Sequence, residues 1–289
     1  MKTKIFSLVI ALMLLISSAA SAQSKLQLTV ITSSPAGFWV NSALVSGEKD
    51  ALLIDAQFTL SDAHRVAAAI LESRKNLTFI YITHWHPDHY FGLNVLKQAF
   101  PNARIVALPA TVEDIKQGWE TKVKQWKPMY GDNLTSAPVI PEPLQGTTLT
   151  LEGETLQIVG PLQGDDKNNS YVLIPSLKAV VCGDIVFDGI FPWTLETTPA
   201  ERKDWIAVLD KIAALKPSIV VAGHKTPELK DDPSSLQFTK NYLIYYDEAL
   251  TSSKSSEEFQ SKVKSKFPGL GLDLILKLAS DAAFSNQKK

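Results

Sequence analysis

The chain has 289 residues, 45% of them apolar and 20% charged, a globular composition that excludes a disordered, fibrous or collagenous protein. Its 29 basic and 30 acidic side chains leave a net charge of -1, so no whole-chain field draws it to nucleic acid and no such partner is expected. The single cysteine, Cys182, excludes an internal disulfide and a multi-cysteine metal cluster, so stability has to come from a packed core.

Residues 1–22 open with Lys2 and Lys4, continue as an apolar run over 5–16 and end on Ala20-Ser21-Ala22. That order is a secretory signal peptide. The run falls short of the roughly 20 apolar residues that span a bilayer, so no membrane span is expected in a mature chain that begins near Gln23. The destination is the periplasm or the medium. Cys182, in the apolar run 179–182, is then a buried packing residue.

Three strands, at 26–32, 38–45 and 51–55, open the mature chain as an antiparallel meander, the third after the turn Gly47-Glu48-Lys49-Asp50. A helix over 60–73, with Val66, Ala69 and Ile70 on one face, leads into an apolar strand at 77–82. A second helix runs from His89 to about Phe100, where Pro101 stops it, and a strand follows at 104–108. Over 118–146 the periodicity breaks down: Trp119, Trp126, Met129 and Tyr130 stand among Pro128, Pro138, Pro141 and Pro143, and the segment reads as a long loop. Short strands return at 148–151, 155–159, 171–174 and 178–182. A helix capped by Thr198-Pro199-Ala200-Glu201 runs to Leu215, and a strand at 218–222 ends in Gly223-His224. Two β-rich halves punctuated by helices imply a layered α/β or α+β fold over 23–232. Residues 233–289 read as two or three helices broken at Pro268-Gly269, an extension that packs on the layered domain or on a second subunit.

The chemistry is concentrated in Thr83-His84-Trp85-His86-Pro87-Asp88-His89, which holds three of the five histidines. Imidazole is a common ligand for borderline metals, and His84 and His86, two apart in an extended segment, can face one cation. Asp88 and His89, at the turn into the helix, can face a second beside it.

This His-x-His-x-Asp-His pattern resembles the signature of the metallo-β-lactamase superfamily of hydrolases. Gly183-Asp184 is similar to the family's bridging aspartate, Gly223-His224 to its last histidine, and Leu53-Ile54-Asp55 to the strand end before its first helix, a likeness spanning about 26–227. The resemblance implies a four-layer αβ/βα sandwich with two divalent metals at one edge between the sheets, zinc first, with manganese or iron as alternatives. It implies that His84 and His86 bind a first metal, that Asp88, His89 and His224 bind a second, and that Asp184 bridges them. It further implies that a metal-bridging hydroxide, made at neutral pH by the two cations, attacks the substrate, with Asp88 as the catalytic proton acceptor or relay.

One departure stands out. Where the family carries a third first-site histidine, the stretch 160–170 contains none, and aligning 171–175 on the family's strand puts Asp165 at that position. Asp165 is therefore expected to supply a carboxylate to the first metal. A site one unit less positive should acidify its water less, which predicts a higher pH optimum and easier acceptance of a harder ion.

Trp85, Tyr90 and Phe91 flank the histidines, Phe187, Phe191 and Trp193 follow Asp184, and Trp119, Trp126 and Tyr130 lie on the long loop; together they predict an apolar, aromatic-rimmed cleft. His64 reads as a solvated histidine, Lys225 as a surface lysine or an anion contact, and Asp55 as a residue that orders the histidine loop by hydrogen bonds. The reading is a secreted metal-dependent hydrolase of a small ester, lactone, thioester or amide. Two alternatives stay open: a β-lactam hydrolase, and a metal-binding protein with a degenerate first site and no turnover.

Overall fold

The strand-forming runs pair into two main sheets in the computed structural model, which describes residues 25–286; the segment 1–22, read from sequence as a signal peptide, lies outside the described residues. The first sheet has the order β1 (Gln27–Thr32), β2 (Asn41–Ser46), β3 (Asp50–Ile54), β4 (Asn76–Ile82), β5 (Arg104–Ala107) and β6 (Glu142–Pro143). Its first three strands form the antiparallel meander, and β3 to β6 run parallel. The second sheet contains β7 (Thr148–Leu151), β8 (Glu154–Leu162), β9 (Asn169–Ile174) and β10 (Ala179–Val181). The short strand β11 (Phe187–Asp188) lies outside it, and β12 (Ile219–Val221) pairs parallel with β10 at its edge. A final short strand, β13 (His224–Lys225), pairs with β11.

Side chains alternate across each strand, and that alternation sorts the apolar runs into two cores. Leu52 and Ile54 of β3, Tyr81 of β4 and Ala179 and Val181 of β10 fill the space between the sheets. Leu53, Ile80 and Ile82 point the other way, onto α1 (Leu60–Ser73), whose buried face is Ala63, Val66, Ala67 and Ile70. On the far side Val180, Cys182 and Val220 meet α5 (Pro199–Ala214) through Trp205, Leu209 and Ile212. The result is the four-layer arrangement, helix, sheet, sheet, helix. Full burial of each such Val, Leu or Ile contributes about 1.5–3 kcal/mol, so the alternation fixes strand register strongly. Both helices start as the sequence predicts: Thr59 accepts the Asp62 amide, and Thr198 and Glu201 form a reciprocal capping box. Cys182 is fully buried, and burial pushes its thiol pKa up.

Two expectations are corrected. The helix predicted from His89 to Phe100 is two pieces, α2 (Pro87–Tyr90) and α3 (Leu93–Ala99), separated at Gly92, whose position a Cβ would put 1.9 Å from the Ala56 carbonyl oxygen. The segment read as a long loop from residue 118 is, up to Tyr130, the body of α4 (Pro109–Tyr130). Its contacts at Val112, Ile115, Trp119, Val123, Trp126 and Tyr130 keep helical spacing, and Pro128 falls in the last turn, so the hydrogen bond it removes lies at the end of the helix. Gly118, inside the helix, allows a close approach: a Cβ there would lie 2.3 Å from Cζ3 of Trp85.

After β13 come α6 (Ser234–Ser252), α7 (Ser256–Lys266) and α8 (Asp273–Asn286). They pack on the sandwich of their own chain: Thr239 of α6 bonds both the N–H and the C=O of Phe187, and Gly271 donates to the Gly189 carbonyl. No helix among the described residues is long and apolar enough to cross a membrane.

Candidate metal centre and cleft

The loop after β4, the turn between β8 and β9, the single turn after β10 and the start of β13 meet at one edge between the sheets. They bring together His84, His86, Asp165 and Asp184 as one group, and Asp88, His89, Asp184 and His224 as another, with ligand atoms inside each group within 4.8 Å of one another. Asp184 belongs to both. All but Asp88 are buried, and the Asp88 side chain is 13% exposed, toward the cleft.

Each imidazole has one nitrogen tied to the surrounding protein, which leaves the other for the centre. His84 Nδ1 lies 3.0 Å from Thr83 Oγ1, His89 Nδ1 2.8 Å from Asp55 Oδ2, and His224 Nδ1 2.7 Å from the Phe38 carbonyl oxygen. His86 is turned the other way, with Nε2 3.1 Å from Glu196 Oε2 and Nδ1 2.8 Å from Asp165 Oδ2. Asp55 also accepts the Thr83 N–H and hydroxyl at 2.9 and 2.8 Å, so it orders the histidine loop by hydrogen bonds.

His84 Nε2, His89 Nε2, Asp165 Oδ2 and Asp184 Oδ1 are buried with no hydrogen-bond partner outside the cluster; within it His89 Nε2 stands 3.0 Å from Asp184 Oδ1 and His86 Nδ1 2.8 Å from Asp165 Oδ2. Leaving such atoms unsatisfied costs about 1–3 kcal/mol each, so convergence of this kind suits a shared cation. Histidine nitrogens with carboxylate oxygens are the donor set of zinc and its neighbours, and the residues present fit two such ions.

The electrostatics follow from burial and pairing. Burial lowers the His84 pKa well below the ordinary histidine value, helped by the neighbouring histidines. Burial also opposes a charge on His86, His89 and His224, but the facing carboxylates outweigh it: the first two are raised well above the ordinary value and His224 is pushed up to about 10. Asp165 is pushed up to about 7 by burial, which His86 only partly offsets. Asp88 is desolvated too, yet His224 at 3.1 Å and His89 lower its pKa and keep it a carboxylate.

The centre forms the floor of a cleft with about 520 Å³ of empty space, its open mouth included. Of the aromatics singled out from sequence, Trp126, Phe187, Phe191 and Trp193 line it. Trp85, Tyr90, Phe91, Trp119 and Tyr130 do not: Trp85 lies against Gly118 and donates its indole N–H to Asp166, Tyr90 and Phe91 are fully buried core, Trp119 packs on that core, and the Tyr130 hydroxyl donates to the Ala36 carbonyl. Sequence reasoning missed Phe38, Phe58, Lys122, Gln125, Leu272 and Ile275, all of which line the cleft. Lys122, Gln125 and Trp126 share one face of α4, so recognising that helix would have found them. Leu272 lies just before α8 and Ile275 in its first turn, and nothing local in the sequence signals their reach. Lys225 is neither a surface lysine nor an anion contact; it is buried, donating to the Leu229 carbonyl at 2.7 Å beside Asp231. His64 is exposed, as read.

A family model described as the metallo-beta-lactamase superfamily matches residues 37–224. Among solved structures, a metallo-beta-lactamase family protein from Thermus thermophilus is similar with a TM-score of 0.64 at 19% identity, over 91% of this chain and 93% of that one. The metallo-beta-lactamase from Pontibacter korlensis is similar with a TM-score of 0.57 at 20% identity, over 76% of this chain and 95% of that one. Among curated proteins, the uncharacterized protein YobT of Bacillus subtilis (strain 168) is 38% identical over 77 residues, 26% of this chain and 32% of that protein. The chain thus aligns with about a third of that relative's length.

Proposed function

The chain belongs to the metallo-beta-lactamase superfamily, and from that premise we propose that it is a secreted hydrolase of a small ester, lactone, thioester or amide that depends on two divalent cations, zinc first. The observation that carries the reading is the pair of ligand groups sharing Asp184 at the floor of a cleft, with buried ligand atoms that have no hydrogen-bond partner outside the cluster. His84, His86 and Asp165 would hold the first ion, Asp88, His89 and His224 the second, and Asp184 both. Bound there, such ions polarise a scissile carbonyl and activate water for attack. Asp88, kept ionised and open to the cleft, accepts a proton from the attacking water or passes it on. Secretion rests on the signal-peptide pattern of residues 1–22.

The walls support an uncharged substrate with an apolar body. Phe38, Phe58, Trp126, Phe191 and Ile275 give the walls their apolar character, and the ammonium of Lys122, the one lysine or arginine among the described lining residues, is engaged at 2.9 Å by Glu196. A phosphodiester or a carboxylate-bearing β-lactam would meet no free ammonium there.

The test is metal content by inductively coupled plasma mass spectrometry, together with a panel of neutral esters, lactones, thioesters and amides beside a β-lactam and a phosphodiester. About two zinc ions per chain and turnover of a neutral member, abolished by chelation and restored by zinc, are the expected result. Two zinc ions with no turnover on any member would make the protein a metal binder instead.

A pH dependence follows from the cation-free protonation states. His224, with its pKa raised to about 10, carries a proton at neutral pH that zinc must displace; Asp165, raised to about 7, adds another as pH falls through that value. Apparent zinc affinity should therefore fall with decreasing pH, by about tenfold per unit for each proton displaced. Calorimetry in buffers of different ionisation enthalpy should count more protons released at pH 6 than at pH 8. Equal counts, or an affinity flat across that range, would contradict it.

A further inference from the structure

We propose that Glu196, which lies outside both ligand groups, is a positioning residue that fixes the His86 ring for the first cation, and that Lys122 of α4 holds Glu196 in place. The proposal rests on the two-cation reading above. His86 differs from His84, His89 and His224: they present Nε2 to the centre, whereas it presents Nδ1 and turns Nε2 outward to Glu196 Oε2 at 3.1 Å. A neutral imidazole carries one N–H, and a carboxylate can only accept. Glu196 therefore keeps the proton on Nε2 and the lone pair of Nδ1 on the side of Asp165 and Asp184.

A glutamate on the loop between β11 and α5, its side chain 31% exposed, would by itself swing among rotamers. Lys122 removes that freedom by donating to the second oxygen, Oε1, at 2.9 Å. Lys122 is fixed in turn. It is buried, with its ammonium 4.3 Å from the centroid of the Trp85 ring. Trp85 lies in the space that Gly118, one helical turn before Lys122, leaves on α4, and its N–H is taken by Asp166, the residue after Asp165. The Trp193 ring closes the set, 6.4 Å from that of His86 and steeply inclined to it. An exposed Lys–Glu pair contributes little to stability, but here the lysine is buried and the glutamate's other oxygen is spent on a candidate ligand. The arrangement is built for orientation.

Stepwise zinc binding, measured by competition with a chromogenic chelator, tests this on wild type, Glu196→Ala, Glu196→Gln and Lys122→Met, with zinc-free melting curves alongside. Loss of an outer partner of this kind weakens metal affinity about 10–100-fold, so Glu196→Ala should weaken one of the two zinc steps by that factor and leave the other unchanged. Glu196→Gln, whose amide oxygen still accepts the imidazole N–H, should recover most of the loss, and Lys122→Met should show a smaller loss at the same step. Both steps unchanged in Glu196→Ala, or both weakened equally with a fall in melting temperature, would overturn the proposal. If the alanine variant does not fold, Lys122→Met decides: a loss confined to one step supports the proposal, and unchanged steps overturn it. A wild-type chain that takes fewer than two zinc ions overturns the two-cation reading, and the proposal with it.

Discussion

Asp184→Asn should empty both cation sites at once and lower turnover by about three orders of magnitude or more, equivalent to about 4 kcal/mol of transition-state stabilisation. The expectation comes from its place in both ligand groups. Its Oδ1 lies 3.0 Å from His89 Nε2, and its Oδ2 3.2 Å from His224 Nε2 and 3.7 Å from His84 Nε2. The backbone of Gly223 passes close by the carboxylate: a Cβ there would lie 2.1 Å from Oδ1 and 2.5 Å from the Gly183 carbonyl carbon, so the position has no room for a side chain. Asparagine keeps the volume but replaces an anionic oxygen with an NH2 that cannot ligate and repels a cation. Metal analysis, kcat/KM and far-UV circular dichroism on the variant check the three parts of the statement. A folded variant that still holds about two zinc ions would remove the shared-ligand role on which the proposed function stands.

Asp165 offers the second large effect, and it can be read in two directions. Asp165→Ala should take the zinc content from about two to about one, because its buried Oδ2 faces the first group and its loss leaves that site only His84, His86 and the shared Asp184. The position is held from the backbone side: the Asp165 N–H donates to the Asp184 carbonyl at 3.2 Å, and Asn169 donates to Oδ1 at 3.0 Å. Asp165→His should retain two ions and move the pH–rate profile to lower pH. A histidine makes the first shell one unit more positive, and a more positive site favours loss of a proton from water. A profile that moves upward, or does not move, counts against this charge argument. Zinc content unchanged in the alanine variant would remove Asp165 from the ligand set.

The accuracy of the sequence reading tracks how local the information was. The 14-residue helix α1 was legible to the residue, since Val66 and Ile70 mark one buried face at helical spacing, although Ala69, read on the same face, is only half-buried. So was the clustering of His84, His86, Asp88 and His89, which one loop carries. Their alignment with Asp165, Asp184 and His224 needed the family resemblance, because those residues lie far apart in the chain. The helix α4 was lost for a different reason. Gly118 and Pro128 carry strong local penalties, about 1 kcal/mol for a glycine in a helix interior, but packing against Trp85, Phe38 and Phe58 outweighs them.

By itself the sequence determined the layered α/β class, through the alternation of apolar strands and amphipathic helices, and the clustering of candidate metal ligands in one loop, through the types and spacing of His84, His86, Asp88 and His89. Tertiary structure decided which aromatics face the cleft, that Leu272 and Ile275 line it from the C-terminal segment, and that Glu196 and Lys122 stand behind His86. The physical reason is the range of the forces involved. Periodicity and capping act within a few residues and are written in the local order of side chains, whereas the orientation of a ring or a carboxylate is set by groups that only folding brings within hydrogen-bonding distance.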